Sequence, residues 1–310
     1  MRKYFLFLLT LFLAVFFFNS GYAHAQGGKK LEIVYFETHI GMAIFTPNGN
    51  TYIVDPDFSD SEYNKIRDYL KSKGISDLGI IITHPHCDHF GGCISEKSTT
   101  VKKLAQDFNI KKLIDTGFHP SKINYKTYKE GVLDVVKSEG GEIITGLRSG
   151  DSLNLDPDLT VKVLSPRSKS EDAIDGDGFW EKSELQVKDP EVTEARYWNE
   201  NSLAFLISYG DFDALFTGDI ARYTSQPYII SKYKDLLVKT EIIGIPHHGK
   251  NGNYFNSEFA KTIGKDAAVV IGIATRDYED VILNGYKNNN NKIIILDGKN
   301  NGRITVSIEG

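Results

Sequence analysis

Cysteine is scarce in this chain, and its placement is unusual. The only two cysteines, Cys87 and Cys93, lie close together instead of being distributed along the 310 residues. This pattern excludes the disulfide framework that stabilises small secreted domains, so stability must come from a hydrophobic core. Proline- or glycine-rich linkers are also absent between the predicted elements, which indicates a single domain.

The sequence also lacks an excess of basic residues. It has 36 Lys and Arg against 41 Asp and Glu, a net charge of −5. A general attraction for nucleic acid or anionic membranes is therefore excluded, and any polyanion must be bound locally. Eight lysines within residues 97–129 are a candidate for such binding, although a solvated face is the simpler interpretation.

Nine carboxylates within residues 171–194 form the opposite kind of stretch. Asp175-Gly-Asp177-Gly178 loosely resembles a calcium-binding segment, but the oxygen ligands do not follow EF-hand spacing. The stretch is interpreted as an inserted surface loop.

The N-terminus has the layout of an export signal. Arg2 and Lys3 precede an apolar run over residues 4–18, and Ala23-His24-Ala25 provides a cleavage site. We therefore predict a signal peptide at residues 1–25 and a mature extracytoplasmic domain at residues 26–310 with a net charge near −7. A membrane anchor is the alternative, but the run is shorter than the roughly 20 residues that span a bilayer. No stable membrane insertion is expected after cleavage, and Gln26 is not a lipoprotein cysteine.

Hydrophobic periodicity predicts many short strands with interspersed helices, an arrangement typical of a mixed α/β domain with two sheets covered by helices. Strands are predicted at 31–36, 41–45, 52–54, 78–82, 112–114, 142–144, 160–164, 203–207, 213–216, 242–245, 267–271, 292–296 and 303–306. Helices are predicted at 63–73 and near 100–107, 125–138, 223–237 and 256–263.

A dense group of metal-ligand side chains follows the apolar strand at 78–82. His84, His86, Asp88 and His89 lie within six residues, which a core role does not explain. Imidazoles and a carboxylate at this spacing can face two neighbouring metal ions, with His84 and His86 on one ion and Asp88 and His89 on the other. The following Gly91-Gly92 would let the backbone turn tightly.

Cys87 occupies the variable position of this motif. It is interpreted as a small buried residue rather than a metal ligand. We expect a Cys87–Cys93 bridge to compete with the glycine turn between the two residues.

The motif resembles the His-x-His-x-Asp-His signature of the metallo-β-lactamase superfamily. Residues 216–219 resemble the strand that ends in the metal-bridging aspartate, here Asp219, and residues 245–249 resemble the segment with the final metal histidine. The resemblance implies a four-layer αββα sandwich with the active site along one edge. It also implies a hydrolase holding one or two Zn²⁺ ions, with Mn²⁺ as the alternative, in which Asp219 bridges and Asp88 orients the attacking water.

Within that superfamily the chain resembles most the hydrolase domain of ComEC/Rec2-type competence proteins, over residues 31–310. The resemblance rests on Gly74-Ile75 leading into 83–92, and on the segments 150–153, 163–166, 201–203, 209–210, 217–219 and 246–249. It implies a phosphodiesterase or nuclease acting on DNA.

The chain departs from the family pattern in three places, which are the position of a third metal histidine, the opening motif and the residue after the final histidine; the assignment of that final histidine is a separate question. Residues 197–201 stand where related proteins place a third histidine of the first metal site, so that site is expected to be weak unless His119 completes it. His248 is predicted as the final ligand and His247 as a substrate-facing group, although the opposite assignment stays open. Glu37-Thr-His39-Ile-Gly41 replaces the competence-type opening motif, and Lys250 replaces a serine.

Other functions stay open at this stage. A phosphodiesterase acting on a small group such as phosphorylcholine fits the negative net charge, whereas a β-lactamase would need the missing ligand. A binding module without activity would not need the intact Asp88, His89, Asp219 and His248.

Overall fold

A computed structural model describes residues 29–37, 41–92, 99–117, 126–167, 198–222, 224–250, 255–272, 280–296 and 303–309. The predicted signal peptide and residues 171–194 lie outside the described residues, and no helix among the described ones is long and apolar enough to cross a bilayer.

Seven strands form the first sheet, in the order β13-β1-β2-β3-β4-β5-β6. Strands β3 to β6 run parallel to one another, whereas β13, β1 and β2 pair antiparallel. The strands are β1 (Lys30–Phe36), β2 (Met42–Phe45), β3 (Thr51–Val54), β4 (Asp77–Ile81), β5 (Asn109–Ile114), β6 (Glu142–Ile144) and β13 (Arg303–Glu309).

Six strands form the second sheet, in the order β12-β11-β10-β9-β8-β7. Strands β9 to β12 are parallel, and β8 runs antiparallel to both of its neighbours. The strands are β7 (Thr160–Ser165), β8 (Ala204–Tyr209), β9 (Phe212–Phe216), β10 (Ile242–Gly244), β11 (Ala268–Gly272) and β12 (Lys292–Leu296).

Helices cover the outer face of each sheet. They are α1 (Asp60–Ser72), α2 (Cys87–Phe90), α3 (Thr100–Asp107), α4 (Asp134–Ser138), α5 (Ser225–Leu237), α6 (Ser257–Thr262) and α7 (Asp280–Lys287). A π-helical turn, Lys129–Leu133, leads into α4, and a 3₁₀ turn spans Pro246–Gly249. Helix α1 begins at a capping box in which Ser59 and Glu62 satisfy each other's backbone amides.

Three hydrophobic clusters separate these layers. The central one joins inward side chains of both sheets, such as Ile33 and Phe205. The second lies between the first sheet and helices α1 to α4. The third lies between the second sheet and helices α5 to α7 and contains, for example, Leu215 of β9 and Ile229 of α5. The predicted four-layer αββα sandwich is therefore confirmed.

One edge of the sandwich collects the ends of strands from both sheets. The carboxyl ends of β3 to β6 meet there because these strands are parallel, and the same holds for β9 and β10. The backbone amide of Leu203, just before β8, donates to the carbonyl of Thr83 at 2.7 Å and ties the sheets together at this edge. This is the edge at which the histidine motif lies.

Candidate metal centre

The histidine motif is positioned by the buried strand β4 and by a turn that only glycine fits. Helix α2 begins at Cys87 and ends at Phe90, and Gly91 caps it with a φ of +69°. A Cβ at Gly91 would lie 2.0 Å from Oγ1 of Thr100 and 2.9 Å from the carbonyl oxygen of Pro56. The glycine therefore supplies both the left-handed conformation and the close approach that the turn requires, as the sequence predicts.

Two further loops bring side chains to the motif from the second sheet. Asp219 follows β9, and Gly218 before it (φ +52°) would place a Cβ only 2.7 Å from Oγ1 of Thr83. His247 and His248 follow β10 and both adopt positive φ, at +51° and +58°. A positive φ at two successive histidines is strained backbone, which proteins retain mainly at functional sites.

The six predicted side chains form two groups. His84, His86 and Asp219 can each offer an atom within 4.8 Å of the others, and so can Asp88, His89 and His248. Within the first group, Nε2 of His84 lies 2.7 Å from Nδ1 of His86 and 3.7 Å from Oδ2 of Asp219.

Asp219, a member of the first group, also lies close to two ligands of the second group. Its Oδ2 is 3.3 Å from Nε2 of His89, and its Oδ1 is 3.5 Å from Nε2 of His248. The structure therefore brings these six side chains together at one edge of the sandwich, with the Asp219 carboxylate close to ligands of both groups.

The donor set fits transition-metal ions. Nε2 of His89 and Oδ1 of Asp219 are buried and make no hydrogen bond to the described residues, which is costly unless another partner satisfies them. Four imidazoles and two carboxylates are the ligands that Zn²⁺ and Mn²⁺ accept in proteins.

The electrostatics of the pocket favour the neutral, coordinating form of three of the four ligand histidines. Burial lowers the pKa of His84 well below its ordinary value and the pKa of His86 and of His248 to about 4, so these imidazoles are neutral at pH 7 and can coordinate.

Burial would lower the pKa of the fourth ligand histidine, His89, but the carboxylates of Asp219 and Asp55 raise it well above its ordinary value. Burial would raise the pKa of Asp219, but the imidazoles of His89, His248 and His247 hold it well below its usual range.

Asp55, which the sequence did not single out, contacts the ligand histidine His89 on the ring nitrogen that does not face the other ligands. Its buried carboxylate lies 3.1 Å from Nδ1 of His89 and accepts hydrogen bonds at 2.7 Å from the backbone amide and from the hydroxyl of Thr83. A carboxylate that contacts Nδ1 of a ligand histidine fixes the orientation of the ring, so that Nε2 can bind the metal. The signal in the sequence was an aspartate directly after a strand that neighbours β4.

His248 and His247 differ in their surroundings. The side chain of His248 is 4% exposed and joins the group of Asp88 and His89, whereas that of His247 is 19% exposed. Nδ1 of His247 lies 3.0 Å from the carbonyl oxygen of Lys250, and its Nε2 lies 3.7 Å from Oδ2 of Asp219. This geometry favours His248 as ligand and places His247 at the mouth of the site.

The position of the missing third histidine is filled by a buried turn. The indole of Trp198 packs on the ring of His86, with centroids 5.0 Å apart, and Asn199 is also buried. His119 lies outside the described residues, so its predicted role as a substitute ligand of the first site stays a prediction.

The expectation for Cys87 needs correction. Cys87 is disulfide-bonded, whereas we expected a bridge to compete with the glycine turn. Cys87 is half-buried and packs against the hydrophobic cluster between the first sheet and helices α1 to α4. It belongs to neither ligand group. Its only possible partner in the sequence, Cys93, lies outside the described residues.

Among the described residues of the lysine-rich stretch, three lysines are paired with carboxylates. Lys103 pairs with Asp60, Lys112 with Glu142 and Lys129 with Asp134. Lys111 and Lys112 lie on β5 upstream of its carboxyl end. The described lysines of residues 97–129 are therefore distributed over the surface, as a solvated face would be.

No protein-family model matches the chain. A UPF0173 metal-dependent hydrolase from Thermodesulfovibrio yellowstonii is 31% identical over 91 residues, which are 29% of this chain and 34% of that protein. The match thus spans about a third of the curated relative.

Two solved structures resemble the fold at low sequence identity. A mutant of the β-hydroxylase CmlA gives a TM-score of 0.52 at 12% identity, covering 90% of this chain and 54% of that one. The metallo-β-lactamase fold protein YhfI from Bacillus subtilis gives 0.49 at 10% identity, covering 90% and 100%. With its two sheets and its edge site, the chain has the metallo-β-lactamase fold.

Proposed function

We propose that this protein is an extracytoplasmic, metal-dependent phosphodiesterase whose leading substrate is DNA. The observation that carries the proposal is that two three-ligand groups lie side by side at the edge of the sandwich, with Asp219 of the first group close to His89 and His248 of the second. The matched relative is described as a metal-dependent hydrolase, which supports the reaction class. The DNA substrate rests on the resemblance to the competence proteins.

The groups of the chain suggest a division of labour. Ions bound by the two groups would lower the pKa of a water molecule and polarise the scissile bond. Asp88 and Asp219, both with lowered pKa, would help to hold these ions and would accept hydrogen bonds from the attacking water. His247, at the mouth of the site, protonates the leaving oxygen, which is the role of a general acid.

Two observations support a location outside the cytoplasm. The N-terminal residues follow the pattern of a cleavable signal peptide, and Cys87 is disulfide-bonded, a state that persists in oxidising compartments.

A substrate panel tests the proposal. The purified protein is assayed with added Zn²⁺ or Mn²⁺ against single-stranded DNA, bis-p-nitrophenyl phosphate, p-nitrophenyl phosphorylcholine and a chromogenic cephalosporin. We expect hydrolysis of the first two substrates and its loss after chelation. Exclusive hydrolysis of the phosphorylcholine ester or of the cephalosporin would replace the DNA assignment, and no hydrolysis of any substrate would favour a binding module.

A further inference from the structure

We propose that β13, the edge strand of the first sheet, pairs antiparallel with β13 of a second copy of this chain, so that two sandwiches form a symmetric dimer. The inference is independent of the proposed function, because the strand contains none of the metal ligands.

One edge of β13 is open. The strand lies at the end of the first sheet and pairs along its whole length with β1, from Lys30 opposite Glu309 to Phe36 opposite Arg303. Within the described part of the chain, the backbone groups of residues 303–309 make no hydrogen bond other than those of this pairing. A strand with an open row of amides and carbonyls is a template for a further strand.

The sequence of β13 lacks the features that protect edge strands from such pairing. It reads Arg-Ile-Thr-Val-Ser-Ile-Glu, without proline or lysine, and its register with β1 is continuous, without a bulge. Natural proteins commonly block exposed edges with these residues or with bulges. Four of the seven residues are β-branched, which favours a regular strand. The edge is therefore suited to pairing.

The two faces of β13 differ in polarity, which restricts the kind of partner. Ile304, Val306 and Ile308 pack against the central hydrophobic cluster, yet each is only partly buried. The residues that alternate with them are polar and exposed. Because side chains alternate along a strand, a partner strand must present an apolar face and a polar face in the same register. A second copy of β13 meets this requirement.

The sequence of β13 is complementary to itself when two copies are centred on Val306. The residues placed opposite one another in that antiparallel register are Arg303 and Glu309, Ile304 and Ile308, Thr305 and Ser307, and Val306 with its own symmetry mate. Opposite residues in such a pair have Cβ atoms about 4.5–5.5 Å apart, and pairs of opposite charge or of hydroxyl side chains are favourable. Each unlike pair occurs twice, as in an isologous interface.

The charged side chains at both ends of β13 are available for these pairs. The guanidinium of Arg303 lies 4.2 Å from the centroid of the Tyr69 ring, a cation–π contact that does not occupy its N–H donors with hydrogen bonds. Neither Arg303 nor Glu309 makes an ion pair or a side-chain hydrogen bond to any other described residue, although Lys30 lies opposite Glu309 on β1. A second copy would therefore give both side chains a charged partner.

The pairing also determines where the two metal centres lie. β13 runs antiparallel to β1, β1 to β2, and β2 to β3. The amino end of β13 therefore lies at the edge of the sandwich that collects the carboxyl ends of β3 to β6. Because the two β13 strands run in opposite directions, the metal centres open on opposite sides of the dimer, and each copy keeps its own centre.

Sedimentation velocity over a wide range of protein concentrations tests the interface. The purified protein is expected to form a dimer that dissociates on dilution. R303E and E309R each place like charges opposite one another at both ends of the interface, so each should raise the Kd of the dimer about tenfold or more. The double variant R303E/E309R restores opposite charges between the two copies and should recover dimerisation.

A control variant and a second readout distinguish this interface from other effects. K261E changes the charge by the same amount as R303E, at an exposed residue of α6 that pairs with Glu258, and should leave the Kd unchanged. Amide hydrogen exchange within β13 should be slower at concentrations that favour the dimer than in dilute solution, and R303E should abolish that difference.

Three results would overturn the proposal. The first is a protein that stays monomeric at every concentration. The second is a dimer whose Kd is unchanged in both R303E and E309R, which would place the contact on another surface. The third is weakened association in both single variants without recovery in R303E/E309R, which would indicate a structural effect of the substitutions.

Discussion

Replacing Asp55 by asparagine should weaken metal binding without removing any metal ligand. The carboxylate accepts from the amide and hydroxyl of Thr83 and contacts Nδ1 of His89. Asparagine keeps the shape and tolerates the φ of +45°, but it replaces one acceptor oxygen by a donor. Loss of such a partner to a ligand histidine typically lowers metal affinity about 10–100-fold.

The same substitution should also destabilise the fold. A hydrogen bond to a charged group contributes about 1.5–3 kcal/mol, and breaking a buried charged pair costs about 3–5 kcal/mol. Zn²⁺ affinity is measured by competition with a chelator, and stability by denaturant unfolding of the metal-free protein.

Asp156 offers a matched control. Its buried carboxylate accepts from Thr46 and from the backbone and side chain of Asn48, at the amino end of β3 and away from the metal centre. D156N should lower the free energy of unfolding while leaving Zn²⁺ affinity unchanged. If D55N and D156N affect stability alike and neither changes Zn²⁺ affinity, the support role of Asp55 is refuted.

Three further predictions concern the ligands, the disulfide and export. H248A should lose metal and activity together, whereas H247A should retain metal and lose rate by about 10²–10⁴-fold, as expected for a general acid; elemental analysis beside turnover decides, and the reverse pattern exchanges their roles. Reduction of the Cys87 disulfide should destabilise the protein by about 2 kcal/mol, given the short loop it closes; an unchanged melting temperature after reduction contradicts this. Protein exported by a bacterial host should have the intact mass of a chain beginning at Gln26, and a retained N-terminus with membrane association contradicts cleavage.

Much of the fold followed from hydrophobic periodicity. The predicted strands and most helices agree with the structure within a few residues, because each buries one face or is wholly buried. Helix α7, Asp280–Lys287, was missed. It is short and contains Gly285, which disfavours helices, yet a Cβ there would lie 2.0 Å from the Phe255 ring. Tertiary packing, which a local pattern does not show, accounts for that helix.

The candidate site was predictable where ligands cluster in sequence, and less so where support comes from another strand. His84 to His89 follow one strand, so their type and spacing indicated metal binding. Asp55 acts through the adjacency of β3 and β4. These neighbours are fixed by sheet order, which periodicity does not specify.

Zinc titration of the metal-stripped protein tests the central claim most directly. Calorimetry should show one tight site, held by Asp88, His89 and His248, and a weaker one at His84 and His86, whose third histidine is missing. Because Asp219 lies between the two groups, D219A should weaken both sites and abolish turnover while the fold is retained. Absence of Zn²⁺ binding to the native protein, or binding that is unchanged in D219A, would contradict a metal centre at this edge of the sandwich.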